Sequence, residues 1–86
     1  MNKYQQTPEY ILDLHGMTRG EAKTALCDLL YDKKYRHIRI ITGKGTFREN
    51  GGVLRFLVKS FLQENNIRFN PSKIADGGEG SFEIYF

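Results

Sequence analysis

The sequence predicts a two-layer α/β sandwich, ordered β-α-β-α-β-β, in which two helices lie on one face of a mixed four-stranded sheet. Three observations carry this reading. Apolar, β-branched or alternating runs near residues 10–15, 37–42 and 81–86 read as strands, with a further short strand beginning near Ile67. Two stretches between the first three strands repeat apolar residues at helical spacing. Asp76-Gly77-Gly78-Glu79-Gly80 is the strongest turn signal in the chain and returns the last strand antiparallel to the third. Strands that alternate with helices imply right-handed crossovers, hence parallel pairing among the first three strands. Two helices and four strands then make two layers.

In chain order, residues 1–9 read as a flexible arm and residues 10–86 as the domain. The first strand covers about Tyr10 to His15. Thr18-Arg19-Gly20-Glu21 has capping-box spacing, with Thr18 as N-cap and Glu21 reaching back. The helix it opens runs to about Lys33, with Ala22, Ala25, Leu26, Leu29 and Leu30 on one stripe. The second strand, His37 to Thr42, draws its bulk from Ile38, Ile40 and Ile41. A polar loop follows, then a helix from about Gly52 to Asn65 whose apolar face is Leu54, Leu57, Val58, Phe61 and Leu62. Asn70-Pro71 threatens to interrupt the third strand. The last strand alternates Phe82, Ile84 and Phe86 with Ser81, Glu83 and Tyr85.

At 86 residues the chain is one domain, near the lower size limit for folding without staples. Its composition, 40% hydrophobic and 27% charged, is that of a soluble globular protein. No apolar run approaches the roughly 20 residues that span a bilayer, and Met1 to Glu9 lacks the apolar centre of a signal peptide. A single cysteine, Cys27, excludes an intrachain disulfide and a zinc site built from thiolates. A cytoplasmic location fits. The net charge of +3 is by itself a weak pointer to a polyanionic partner.

The chemistry concentrates in Leu12-Asp13-Leu14-His15-Gly16. Alternation along a strand puts Leu12 and Leu14 on one face and Asp13 and His15 on the other. A carboxylate beside a histidine fixes its tautomer and raises its basicity. Gly16 permits a sharp turn. Thr42-Gly43-Lys44-Gly45 ends the second strand. If the two strands pair in parallel, both motifs meet beyond their carboxyl ends, where sites form in open α/β sheets. Glycine backbone there admits an anion, Lys44 adds charge, and the second helix begins nearby. Lys44, Arg48 and Arg55 would gather positive charge on that side. A histidine next to a phosphate-binding loop is what phosphodiester chemistry requires.

Each piece has a plainer reading. Gly-Lys-Gly is also an ordinary turn, and the spacing of a P-loop is absent. His15 alone can simply finish a strand. His37, at the opposite end of its strand, reads as a surface residue. Lys33, Lys34, Arg36 and Arg39 read as a solvated face. Cys27 reads as packing or surface. Asp76 and Glu79 are explained by a hairpin more readily than by a metal.

Taken together, Leu12 to Gly16, Thr42 to Gly45, Gly51-Gly52 with Leu54 opening a helix, and Asp76 to Gly80 make the chain resemble the Smr (small MutS-related) domain over about residues 10–86. The resemblance implies a fold like the C-terminal domain of translation initiation factor three. It also implies nucleic-acid binding, commonly with endonuclease activity: some relatives nick DNA, others cleave mRNA at stalled or collided ribosomes. The family's Asp-x-His falls on Asp13 and His15, and its Thr-Gly-x-Gly loop on Thr42 to Gly45. Many relatives follow that loop with histidine or serine, where this chain has Thr46-Phe47-Arg48. Arg48 corresponds to a basic residue of active relatives, and Phe47 is placed either to stack on a base or to enter the core.

The resulting expectation is an endonuclease domain that prefers RNA. His15 moves the proton, Asp13 orients it, Gly43 to Gly45 with Lys44 hold the phosphate together with Thr42 and Arg55, and Arg48 neutralises developing charge. The rivals are an RNA- or ribosome-binding module that does not cut, and a DNA-nicking factor. No cofactor, metal or membrane is expected, and the sequence carries no clear oligomer signal.

Overall fold

The structure is a computed structural model, and it describes residues 7–32, 34–43, 51–72 and 80–86. The elements are β1 (Tyr10–Asp13), α1 (Arg19–Asp32), β2 (His37–Ile41), α2 (Gly51–Glu64), β3 (Arg68–Pro71) and β4 (Ser81–Tyr85). This is the expected order, in a single four-stranded sheet.

The pairing departs from the expectation at one point. β1 and β2 are parallel, with Asp13 opposite Ile41. The sheet order, however, is β1-β2-β4-β3, so β4 is inserted antiparallel between β2 and β3. The first three strands share a direction, but β3 never pairs with β2. The reason lies in side-chain character. Ser81, Phe82, Glu83 and Ile84 of β4 are all buried, and a strand buried on both faces belongs in the middle of a sheet. β3 contains Pro71, which cannot donate to a ladder and suits an edge.

The core lies between the sheet and the helices. Leu14, Ala22, Leu26, Ile38, Ile40, Leu54, Val58, Leu62, Phe82 and Ile84 form one buried cluster. Local chemistry starts α1 and stops α2. Thr18 and Glu21 exchange the two hydrogen bonds of a capping box, at 2.9 and 3.1 Å. α2 ends in a Schellman motif. Ile67 N–H donates to the Leu62 carbonyl, Asn66 N–H donates to that of Gln63, and Asn66 takes φ 56°.

The sheet's other face carries an ion cluster. Glu83 has no solvent exposure. His37 Nε2 lies 2.5 Å from its Oε1, Arg39 Nε lies 2.7 Å from its Oε2, and Ser72 Oγ also bonds Oε2. This corrects two expectations. His37 is not a plain surface residue: its ring is partly buried and stacks on Tyr85 at 4.8 Å. Arg39 is not on a solvated face, because register sets it opposite Glu83. Glu9, at the arm's boundary, is already fastened to the sheet. Its N–H donates to the His37 carbonyl, and its carboxylate accepts the backbone N–H of Arg36.

Candidate active site

The cassette from Asp13 to Met17 is set by four local interactions. Leu14 is fully buried and its N–H continues the parallel ladder to the Ile41 carbonyl at 2.7 Å. Met17 N–H returns to the Leu14 carbonyl at 3.0 Å, with Gly16 at φ 83° in the position where a type II turn demands glycine. Asp13 Oδ1 accepts the His15 backbone N–H at 3.1 Å. The same oxygen meets the His15 Nδ1 at 2.6 Å.

The outcome is an imidazole held by its own strand yet open to solvent. The His15 and Asp13 side chains are 69% and 47% exposed. Nδ1–H donates to the carboxylate, which leaves Nε2 as the ring position facing outward. The hydrogen bond and charge of Asp13 hold the His15 pKa above the ordinary histidine value. Reciprocally, the bond to His15 pulls Asp13 below the usual carboxylate range, against a smaller opposing effect of burial. A histidine oriented on Nδ1, with no Nε2 partner among the described residues, can take or give a proton there.

Parallel pairing brings the loop after β2 to the same end of the sheet as this pair, as the sequence predicts. Thr42 and Gly43 do not offer their donors to an anion, however. Both backbone N–H groups donate to the Gly80 carbonyl, at 2.8 and 3.1 Å. Thr42 is fully buried and its hydroxyl points to the carbonyls of Gly43 and Gly80. These residues therefore pin the loop's first turn to β4, and Gly43 takes φ 89° as the chain leaves the sheet. Arg55 is half-buried, with its guanidinium 4.5 Å from the centre of the Phe82 ring, between α2 and the sheet. Lys44, Gly45, Phe47 and Arg48 lie outside the described residues, as do Lys33, Asp76 and Glu79.

Among the described residues, no group of three or more His, Cys, Asp or Glu side chains could hold a metal ion. None of the described helices is long and apolar enough to cross a membrane. Sequence reasoning missed the cluster around Glu83. Its signal was present in the alternation of β4, but the pairing with Arg39 needed the true strand order.

Comparison with known proteins agrees with this architecture. The Smr domain family model matches residues 12–86. The ribosome rescue factor SmrB of Haemophilus influenzae is 43% identical over 56 residues, which cover 62% of this chain and 34% of that protein. The ribosome rescue factor SmrB of Pasteurella multocida is 32% identical over 84 residues, covering 93% of this chain and 48% of that protein. The chain thus spans between a third and a half of the length of these curated relatives. Among solved structures, the Smr domain of Thermus thermophilus MutS2 superposes with a TM-score of 0.75 at 25% identity, covering 88% of this chain and 95% of that one. With a family model accounting for nearly every residue from the first strand onward and the fold reproduced in a solved Smr domain, this chain belongs to the Smr domain family.

Proposed function

We propose that this domain cleaves RNA phosphodiester bonds, with His15 moving the proton and Asp13 positioning His15. One observation carries the proposal: the 2.6 Å bond between His15 Nδ1 and Asp13, made by an exposed pair at the carboxyl end of a parallel strand. Asp13 fixes the tautomer and makes the imidazole a stronger base. Lys44 and Gly45 then hold the phosphate and Arg48 neutralises charge in the transition state, roles that rest on the sequence motif alone. Thr42 and Gly43 shape the loop rather than contact the phosphate. RNA is favoured because two relatives carry the name of ribosome rescue factors. The same names favour a ribosome-associated setting.

A second reading, a module that grips RNA or a ribosome without cutting, is favoured by the internal bonding of the Thr42 and Gly43 N–H groups. End-labelled single-stranded RNA incubated with the wild-type protein and with His15→Ala separates the two. Discrete fragments from the wild type and none from the variant support cleavage. A shifted band without fragments supports the binding module. Nicking of supercoiled plasmid with intact RNA moves the substrate to DNA.

A further inference from the structure

We infer that the groove between α1 and α2 is a subsite for single-stranded RNA, in which Phe56 stacks on an unpaired base while Arg19 and Lys23 meet its phosphates. This deepens the proposed function and rests on it for the identity of the polymer.

The groove encloses about 580 Å³. One wall is apolar: Val53 and Phe56 of α2 are 46% and 73% exposed, with Leu57 and Phe61 beside them. Packing does not account for Phe56. The core line of α2 is Leu54, Val58 and Leu62, and Phe56 is two residues from Leu54, about 200° around the helix. Its ring has no aromatic partner among the described residues. The facing wall is cationic. Arg19 and Lys23 stand one turn apart on α1, about 6 Å along its axis, and neither forms an ion pair among the described residues. Among the described residues, the single carboxylate on the lining is Glu64, the last residue of α2.

An apolar ring face opposite cations that are unpaired among the described residues matches a nucleotide, which has a flat π-face on one side and a phosphate on the other. A partner helix would match the apolar wall, but it would have to bring carboxylates to Arg19 and Lys23 to avoid burying them unpaired. Arg19 opens α1 four residues beyond His15 in the chain, and Thr18 and Glu21 cap that first turn. Duplex RNA does not fit this arrangement, because its bases are already stacked.

The test is fluorescence anisotropy with a fluorescein-labelled single-stranded RNA 12-mer, on a His15→Ala background so that the probe stays intact. Phe56→Ala is expected to weaken binding by about tenfold, in the range measured for loss of one base–aromatic stack. Phe56→Trp is expected to restore it. Arg19→Gln with Lys23→Gln is expected to reduce the slope of log affinity against log salt by about 1.4, two phosphate contacts at about 0.7 each for a single strand. The corresponding RNA duplex is expected to bind more weakly. Circular dichroism of each variant confirms folding. A folded Phe56→Ala protein within twofold of its parent, together with an unchanged salt slope, would overturn the proposal. So would unchanged RNA affinity in a Phe56→Ala protein that loses self-association in sedimentation, which would assign the groove to a second copy. The two readings fail separately. A wild type that cuts RNA with a KM indifferent to Phe56 leaves the function standing without the groove. RNA held through Phe56 but never cut leaves the groove without the cleavage.

Discussion

His37 Nε2 lies 2.5 Å from Oε1 of Glu83, a carboxylate in the centre of the sheet with no solvent exposure. The domain thus holds two histidine–carboxylate pairs with opposite surroundings. Around Glu83 both oxygens are used, by His37 on one side and by Arg39 and Ser72 on the other. Its donors come from β2 and from the residue after β3, so it ties β4 to both neighbours. The Asp13 and His15 side chains are exposed. The first pair locks the sheet; the second lies open to solvent.

Removing the buried carboxylate is therefore expected to damage stability more than activity. Glu83→Ala strips Arg39 and His37 of their shared anion, a change that costs about 3–5 kcal/mol when a buried pair is broken. Glu83→Gln keeps the shape and is expected to cost less. Burial pushes the Glu83 pKa up, but the hydrogen bonds from Ser72, Arg39 and His37 outweigh it and leave it below the ordinary value. A depressed folded pKa means stability that is fully present above the unfolded value, about 4.3, and lost as pH falls through the lower folded value. Asp13 and Glu9 are also held low, so the difference between wild type and Glu83→Gln is the quantity to follow. Urea midpoints from pH 6 to pH 2.5 should converge for the two proteins at the acid end. Parallel curves would mean that Glu83 does not titrate in that window.

How far the sequence reveals this molecule depends on whether a feature is local. The capping box, the Gly16 turn and the apolar stripes of both helices are short-range patterns, and each appears where its residues predict. The Asp13–His15 pair is local too, being two residues apart on one strand. The place of β4 is not local. The turn from Asp76 to Gly80 indicates that β4 returns beside β3, but nothing within β4 states that its second edge will pair with β2. That unpredicted register is what brings Arg39 and His37 to Glu83 and takes Arg39 out of the expected solvated face, on which Lys34 and Arg36 do stay exposed. The apolar face read for the second helix already omits Phe56; what the sequence does not show is the groove that forms beside it when α1 packs against α2.

Gly20 offers a stabilising change. It sits in the first turn of α1, its φ is not in the left-handed region, and a Cβ placed there would meet nothing closer than Thr18 Oγ1 at 4.0 Å. Alanine removes backbone freedom from the unfolded chain without strain in the folded one. Gly20→Ala is expected to raise stability by about 0.5–1 kcal/mol, read as a higher urea midpoint at unchanged slope. Destabilisation would show that the first turn of α1 needs glycine for a reason that space and φ do not reveal.

The proposed cleavage has an expected product. A single exposed imidazole, with no cluster of carboxylates beside it among the described residues, is better suited to activating a nucleophile that is already in place than to generating hydroxide. In RNA the 2′-hydroxyl adjoins the scissile phosphate. His15 takes its proton, the 2′-oxygen bonds to phosphorus, and the bond to the 5′-oxygen breaks; the departing oxygen takes up a proton from water, leaving a 2′,3′-cyclic phosphate and a 5′-hydroxyl, and His15 later gives its proton back to solvent. Cleavage is expected to survive a chelator and to stop at a single 2′-deoxy position. Products bearing a 5′-phosphate would identify water as the nucleophile.

Asp13→Asn tests the remaining link, between the pair's geometry and its rate. Asp13 raises the His15 pKa through its hydrogen bond and its negative charge. For a general base the reactive form is the neutral imidazole, so kcat/KM should fall on the acid side of that raised pKa. Asparagine keeps an acceptor near Nδ1 but removes the charge, so the acid limb is expected to move to lower pH, toward the ordinary value near 6.5. The plateau above it should drop as well, because the neutral acceptor makes His15 a weaker base and fixes its tautomer less firmly. A purely structural Asp13 would lower the plateau and leave the limb where it was. If instead the rate falls on the alkaline side of the His15 pKa, and that limb moves to lower pH in the variant, His15 acts as the acid and the proton inventory of the reaction must be reversed. Measuring kcat/KM on one RNA oligonucleotide between pH 5 and pH 9 for both proteins distinguishes these outcomes.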